Sequence, residues 1–249
     1  MKNTYVDFIC GILKQVKVGI PIYTKQIALQ IAGEYEITEP AAAAATAVAM
    51  KRIMDAQSLP DLRCYQKGIY YRTVCTPFGE SAINKERLIA DRYLLPDQGY
   101  ETGLTVLHQM GLTSQLPRQR TLATNHAKNC VRSDEKLGVF IRPPKTPVNA
   151  ENKQYLQTLD VLNMLKRAPV DAEDPYEVIA VHIKAQGLKY DKLLALADQC
   201  YNQNTVIQLA HTASKGGGLA SGRYCPAPKS SDCGGSSGCP CLASSRSSK

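Results

Sequence analysis

The strongest structural signal lies in residues 38–72, which read TEPAAAAATAVAMKRIMDAQSLPDLRCYQKGIYYR. The alanine-rich run Thr38–Gln57 predicts a helix, because alanine is the best helix former. Two short runs rich in aromatic and β-branched residues follow it, Leu62–Tyr65 and Ile69–Arg72. They predict two strands joined by Gln66-Lys67-Gly68, which together form a basic hairpin.

Two further helices are predicted before this stretch. Apolar residues recur every three to four positions in Thr4–Val16, which indicates an amphipathic helix. Thr24–Ala32 predicts another helix, with Thr24 as its N-cap. Helix, turn, helix and basic hairpin is the order of a winged helix-turn-helix, in which the second helix of the pair enters a DNA major groove and the hairpin touches the adjacent backbone. In the helix that starts at Thr38, we expect the inward side chains to be Val48, Ile53 and Met54.

The five consecutive alanines, Ala41–Ala45, have two interpretations. They can serve only to stabilise the helix. Alternatively, their small side chains let the helix approach the groove floor, where alanine methyls contact thymine methyls but make no hydrogen bonds to base edges. Sequence readout would then depend on few polar residues.

Candidate DNA contacts are polar or basic residues of the two predicted helices and the hairpin. For Lys51 and Arg52, a solvated surface is an equal alternative, because cations near a helix C-terminus complement its dipole. The hairpin cations are better candidates, since Lys67-Gly68 forms the most exposed point of the module. The predicted DNA-binding residues are Lys25, Thr38, Thr46, Lys51, Arg52, Arg63, Lys67 and Arg72.

Charge and composition fit a polyanionic partner. The chain has 249 residues, a net charge of +8 and a pI of about 9.0. The basic surplus lies in residues 1–75 and 215–249, whereas 76–214 is nearly neutral. The N-terminus lacks the pattern of a secretory signal, and the longest low-charge stretch is too short to span a membrane. We therefore expect a cytoplasmic protein without membrane association.

Residues 76–214 are predicted to form a second, mostly helical domain. Two runs, Arg120–Thr124 and Leu137–Ile141, indicate a pair of strands. The fold class expected for the whole chain is mainly α with small β (α+β). The predicted helices of this domain are Asn149–Arg167, Pro175–Gln186, Tyr190–Cys200 and Asn204–Ala213.

Residues 215–249 are predicted to be a disordered Gly/Ser/Cys-rich tail, because they have few large apolar residues. The tail holds Cys225, Cys233, Cys239 and Cys241. Their gaps of seven, five and one residues do not match the paired spacing of structural zinc sites. No metal is predicted, although a zinc site formed by the four thiols stays open.

The sequence does not indicate an enzyme or a cofactor. It contains no Gly-rich phosphate loop, no Gly-x-Ser-x-Gly elbow and no His-Glu-x-x-His motif. The acidic residues of 171–177 are interpreted as caps of a helix start. A nuclease-type metal site is the alternative, but the strand context that such a site needs is missing.

Two motifs resemble the AbiEi-like antitoxin family of type IV toxin–antitoxin systems. The first is Lys-Gly-Ile-Tyr-Tyr-Arg at 67–72, which closes the predicted winged helix. The second is GYETGLTVLHQMGLTSQLP at 99–117, which is followed by the strand Arg120–Thr124. The resemblance extends from about residue 5 to about residue 213. Within the second motif it rests on Gly103, Leu104, Leu107, Gly111, Leu112, Thr113, Gln115 and Pro117.

The resemblance implies a DNA-binding antitoxin that represses its own operon and counters a nucleotidyltransferase-like toxin. The partners would be double-stranded DNA of its own promoter, with inverted repeats, and the co-encoded toxin. The operator contacts would then come from Lys51, Arg52, Arg63, Lys67 and Arg72. Two alternatives remain, a protein-interaction module that neutralises a toxin directly and a stand-alone winged-helix regulator.

Overall fold

The computed structural model describes residues 4–216, and helices account for more of them than strands do. This confirms the coarse prediction of an α+β chain with small sheets. The N-terminal elements are the helices α1 (Tyr5–Gln15), α2 (Thr24–Tyr35) and α3 (Glu39–Asp55), and the strands β1 (Ile22–Tyr23), β2 (Leu62–Gln66) and β3 (Ile69–Arg72). These bounds lie within three residues of the predicted ones for every element that was predicted.

The N-terminal elements enclose one apolar core. The strands form an antiparallel sheet in the order β1-β3-β2, and the three helices pack beside it. The helices contribute one buried face each, as the spacing of their apolar residues requires. The largest fully buried side chains of this core are Ile9, Leu13, Ile31, Met50, Ile53 and Leu62.

Two details of these helices differ from the prediction. Thr24 is the first residue of α2 and not its N-cap, which is Tyr23. Its hydroxyl instead donates to the carbonyl oxygen of Gly68 at 3.3 Å. Val48 was expected to face inward but is 52% exposed. The core-facing positions of α3 are Ala42, Thr46, Ala49, Met50 and Ile53, and Val48 lies outside this stripe.

A four-stranded sheet forms the middle of the chain, where only a strand pair was predicted. Its order is β6-β7-β9-β8, and β7 and β9 run parallel while the outer pairs are antiparallel. The predicted pairing of Arg120–Thr124 with the strand after Leu137 is confirmed. The elements are β4 (Cys75–Thr76), β5 (Gly79–Glu80), α4 (Lys85–Ile89) with a π-helical turn at Ala90–Leu94, β6 (Gly99–Thr102), α5 (Leu104–Gln109), β7 (Arg120–Thr124), β8 (Arg132–Asp134) and β9 (Val139–Arg142).

Four helices complete the described chain, at the predicted places. They are α6 (Lys153–Met164), α7 (Pro175–Ala185), α8 (Tyr190–Cys200) and α9 (Gln203–Lys215). Helix α6 contacts both β6 and α9, so it joins the sheet to the helical array. The capping interpretation of the acidic residues is confirmed at Asp174, whose carboxylate accepts from the backbone N–H groups of Tyr176 and Glu177.

The predicted boundary near residue 75 falls beside a packed interface. Aromatic and aliphatic side chains of β1 and the β2–β3 hairpin join a core cluster with Leu88, Tyr93 and Leu137 of the middle region. Within residues 4–216, no helix has the length and apolar character needed to cross a bilayer. The predicted tail lies outside the described residues, apart from Lys215, which ends α9, and Gly216.

Candidate nucleic-acid interface

The tip of the β2–β3 hairpin is fixed against the start of α2. Gly68 occupies the tip with φ of +85°, a conformation that glycine adopts without strain. Its carbonyl oxygen accepts from the backbone N–H of Thr24 at 3.0 Å and from the Thr24 hydroxyl at 3.3 Å. These bonds place Lys67 and Lys25, the neighbours of the two bonded residues, on the same side of the N-terminal unit.

A groove of about 650 Å³ lies between α2, α3 and this hairpin tip. Its lining is mostly carbon and includes Ala28, Leu29, Pro40, Ala43 and Ala47. Two lysines and one carboxylate also line it, namely Lys25, Lys67 and Glu39. The groove therefore combines an apolar floor with a predominantly positive edge.

Four of the predicted DNA-binding residues are exposed cations without a partner. Lys25, Lys51, Arg52 and Lys67 are solvent-exposed, and no ion pair or side-chain hydrogen bond holds any of them within residues 4–216. They come from α2, the second half of α3 and the hairpin tip. An unpaired surface cation is available to a phosphate without first breaking another contact.

Thr46 is wrong as a DNA contact. Its side chain is only 1% exposed, and its hydroxyl donates to the carbonyl oxygen of Ala42 one turn earlier at 2.7 Å. A threonine at this position of α3 points into the core, where this back-bond satisfies its polar atom. Thr38, by contrast, is exposed at the N-cap position of α3, and its side chain makes no capping bond.

Arg72 is less available to DNA than its position in the hairpin suggested, because its guanidinium is engaged in contacts within the fold. It forms an ion pair with Asp61 at 2.7 Å. Its Nη1 donates to the carbonyl oxygens of Lys14 and Val16, at 2.8 and 3.1 Å. These contacts join β3 to the end of α1, and they use the donors that a phosphate would need.

Arg63 is only half available. Its guanidinium donates to both carboxylate oxygens of Glu80, at 3.0 and 2.5 Å, and to the carbonyl oxygens of Pro60 and Leu62. This bidentate pair holds the β4–β5 hairpin against β2 and lowers the pKa of Glu80. The local charge is neutralised, so Arg63 is a poorer phosphate ligand than its position in the hairpin suggested.

Sequence reasoning missed the apolar part of the groove. Leu29 of α2 is 48% exposed, and Pro40 and Ala43 of α3 are exposed beside it. Glu39, the first residue of α3, also lines the groove. The exposed faces of α2 and α3 can be identified in the sequence only after the core-facing residues of both helices are known.

The opposite face of the hairpin is closed by the middle region. Tyr65, Ile69 and Tyr71 pack against the cluster that contains Leu88 and Leu137. The middle region therefore partly covers this face of the hairpin, whereas Lys67 at the tip is exposed.

A buried carboxylate outside this interface is fully satisfied and has a structural explanation. Asp160 of α6 is 1% exposed and accepts from the hydroxyls of Tyr100, Thr102 and Tyr201 at 2.9 to 3.0 Å. It also pairs with Arg142 of β9. Burial beside this carboxylate raises the pKa of both tyrosines. The network fixes α6 to the sheet.

No group of three or more His, Cys, Asp or Glu side chains lies close enough to share an ion within residues 4–216. Cys225, Cys233, Cys239 and Cys241 lie outside those residues.

Comparison with known proteins gives no relative. No family model matches the chain, and no curated protein or solved structure is significantly similar to it.

Proposed function

We propose that the N-terminal unit is a winged helix-turn-helix and that the chain is a DNA-binding antitoxin and autorepressor of a toxin–antitoxin operon. In this proposal α2 and α3 are the helix pair and the β2–β3 hairpin is the wing. The sheet order β1-β3-β2 supports it, because this sheet and three helices are the elements that such a unit requires. The resemblance of residues 67–72 and 99–117 to AbiEi-like antitoxins supports the antitoxin role.

One observation carries the DNA-binding part of the proposal. The exposed cations of α2, α3 and the hairpin tip are unpaired, whereas the two arginines farther along the hairpin are held by Asp61 and Glu80. Exposed, unpaired cations thus lie on the elements with which a winged helix meets the DNA backbone.

The proposal is tested by titrating a fragment of the gene's own promoter at several salt concentrations. With four phosphate contacts, the logarithm of affinity should fall with the logarithm of salt with a slope of about −3.6. Lys51→Ala should weaken binding and reduce the slope by about one. Lys184→Ala is the matched control, because Lys184 is an exposed helical lysine on α7.

The result that contradicts DNA binding is equally definite. If the purified protein does not bind the fragment at low salt, or if its affinity does not respond to salt, the winged-helix proposal is wrong. The antitoxin role is tested separately, by co-expression with the product of a neighbouring nucleotidyltransferase-like gene. Growth arrest that the chain does not relieve would refute that role alone.

A specific surface favours direct protein contact as a second candidate. A groove of about 990 Å³ runs along α7 and is lined by Glu173, Asp174, Glu177, Val181 and His182. Val181 is 63% exposed within this acidic lining. Such a surface fits a basic protein partner, so Glu177→Lys should weaken toxin neutralisation while leaving DNA affinity unchanged if the toxin is bound directly.

A further inference from the structure

The outer face of α3 consists of carbon atoms except at its ends. We define this outer face as Pro40, Ala43, Ala44, Ala47, Val48 and Lys51, the exposed positions opposite its buried stripe. The first five carry no hydrogen-bond donor or acceptor on their side chains. Only Lys51, near the C-terminal end, can donate.

This composition excludes the usual way in which a helix reads bases. Hydrogen-bonded readout in the major groove uses Arg or Lys on guanine and Asn or Gln on adenine. None of these types stands between Pro40 and Met50 in α3. The apolar feature that the major groove itself offers is the C5-methyl group of thymine, which contacts alanine and other small apolar side chains.

The charged residues beside the outer face of α3 favour an approach to DNA in which this face can contact thymine methyl groups. Lys25 and Lys67 stand at the edge of the groove beside Pro40, Ala43 and Ala47. Their positive charges attract phosphates to that edge. Glu39, at the start of α3 in the same groove, disfavours a phosphate on the floor, so the floor is left to the base edges.

The exposure of Val48 is the second independent feature. A valine that is 52% exposed in the middle of α3 leaves apolar surface in water. Its position lies on the outer face and away from the core stripe, where it lines a second pocket with Ala44 and Arg52. Contact with a thymine methyl group in the DNA major groove would remove this apolar surface of Val48 from water.

We infer that the outer face of α3 recognises thymine methyl groups in the major groove, so that the preferred operator is thymine-rich where α3 docks. This inference rests on the proposed DNA-binding function and specifies how it selects sequence. Phosphate contacts by Lys25 and Lys67 would position the unit without distinguishing bases. Contacts with thymine methyl groups would distinguish thymine from the other bases.

The experiment compares two promoter duplexes that differ only in their pyrimidine methyl groups. One contains thymidine and the other contains deoxyuridine at every thymidine position. Burial of one methyl group contributes about 0.8 kcal/mol, which corresponds to roughly a four-fold change in affinity. We expect wild-type protein to bind the deoxyuridine duplex at least that much more weakly.

Variants separate direct methyl contact from an effect on DNA shape. Val48→Ala should weaken binding to the thymidine duplex and shrink the difference between the two duplexes, because part of the methyl-binding surface is gone. Val131→Ala is the matched control, since that valine is 64% exposed and immediately precedes β8 in the middle region. It should leave both affinities unchanged.

Each outcome bears on a different claim. Salt-dependent binding with equal affinity for both duplexes overturns the methyl readout and leaves DNA binding intact. A difference that Val48→Ala does not change also overturns it, because DNA shape would then be the cause. Failure to bind either duplex at low salt refutes the proposed function itself.

Discussion

The hydroxyl of Tyr23 donates a hydrogen bond to the carboxylate of Asp91 at 2.9 Å, from β1 to the π-helical turn that follows α4. Burial, and then this carboxylate, raises the pKa of Tyr23. Asp91 is also paired with Arg87 at 3.0 Å. The bond joins the N-terminal unit to the middle region through a side chain that no sequence pattern singles out.

Tyr23→Phe should lower the free energy of unfolding of the whole chain by about 1–2 kcal/mol, since it removes one hydrogen bond to a charged group. Urea denaturation followed by circular dichroism measures this loss. Tyr5→Phe is the control, because the exposed Tyr5 hydroxyl has no partner within residues 4–216. Equal stability of the two variants would show that the Asp91 contact contributes nothing.

The interface also changes what is expected of an isolated N-terminal unit. A fragment of residues 1–75 would expose Tyr23, Tyr65, Ile69 and Tyr71, which the intact chain packs against the middle region. We expect it to unfold at lower urea concentration than the full chain and to bind a dye for apolar surfaces. A fragment as stable as the full chain, without dye binding, would show that this packing is dispensable.

The sequence predicted the N-terminal elements well because their signals are local. Alanine propensity, apolar spacing and the Lys67-Gly68 turn each depend on a few neighbouring residues. Two strands of the four-stranded sheet, β6 and β8, were missed, because they are short and the pairing of β6 with β7 joins distant parts of the chain. In the same way, the sequence located Arg72 in the hairpin but could not reveal Asp61 as its partner.

Asp160→Asn should destabilise the chain by about 3–5 kcal/mol, because it leaves Arg142 without its buried counter-charge. The change also disturbs the bonds from Tyr100 and Tyr201. Denaturant unfolding measures the effect. Asp198→Asn, at an exposed position of α8, should stay within about 0.5 kcal/mol of wild type. A small effect of Asp160→Asn would mean that the network is not a principal support of α6.

His182 should make stability depend on pH. Burial lowers its pKa below the ordinary value of 6.5. Between that value and the folded pKa, the unfolded chain binds more protons than the folded one, so the free energy of unfolding falls as pH falls below 6.5. His182→Gln should reduce this loss, as measured by urea midpoints on either side of that pH. An unchanged pH dependence in the variant would assign it to other groups.

Lys67 and Arg63 should differ in their effect on DNA binding although both belong to the hairpin. Lys67 is exposed at the tip without an ion pair in the described chain, so Lys67→Ala should remove one phosphate contact and reduce the salt slope by about one. Because Glu80 already neutralises Arg63, Arg63→Ala should change DNA affinity less. It should instead lower stability slightly, as expected for an exposed ion pair.

DNA binding and stability, measured for both variants, decide whether DNA contacts the tip of the hairpin or its strand. Affinity and salt slope come from promoter titration, and stability comes from urea denaturation of the same preparations. Because phosphate contacts carry no sequence information, Lys67→Ala should weaken the promoter fragment and an unrelated duplex by the same factor. If Arg63→Ala reduces the salt slope as much as Lys67→Ala does, the Glu80 pair opens on binding and the DNA reaches the side of the hairpin. If neither variant changes affinity while both stay folded, the hairpin lies away from the DNA backbone and the winged-helix assignment of its role is wrong.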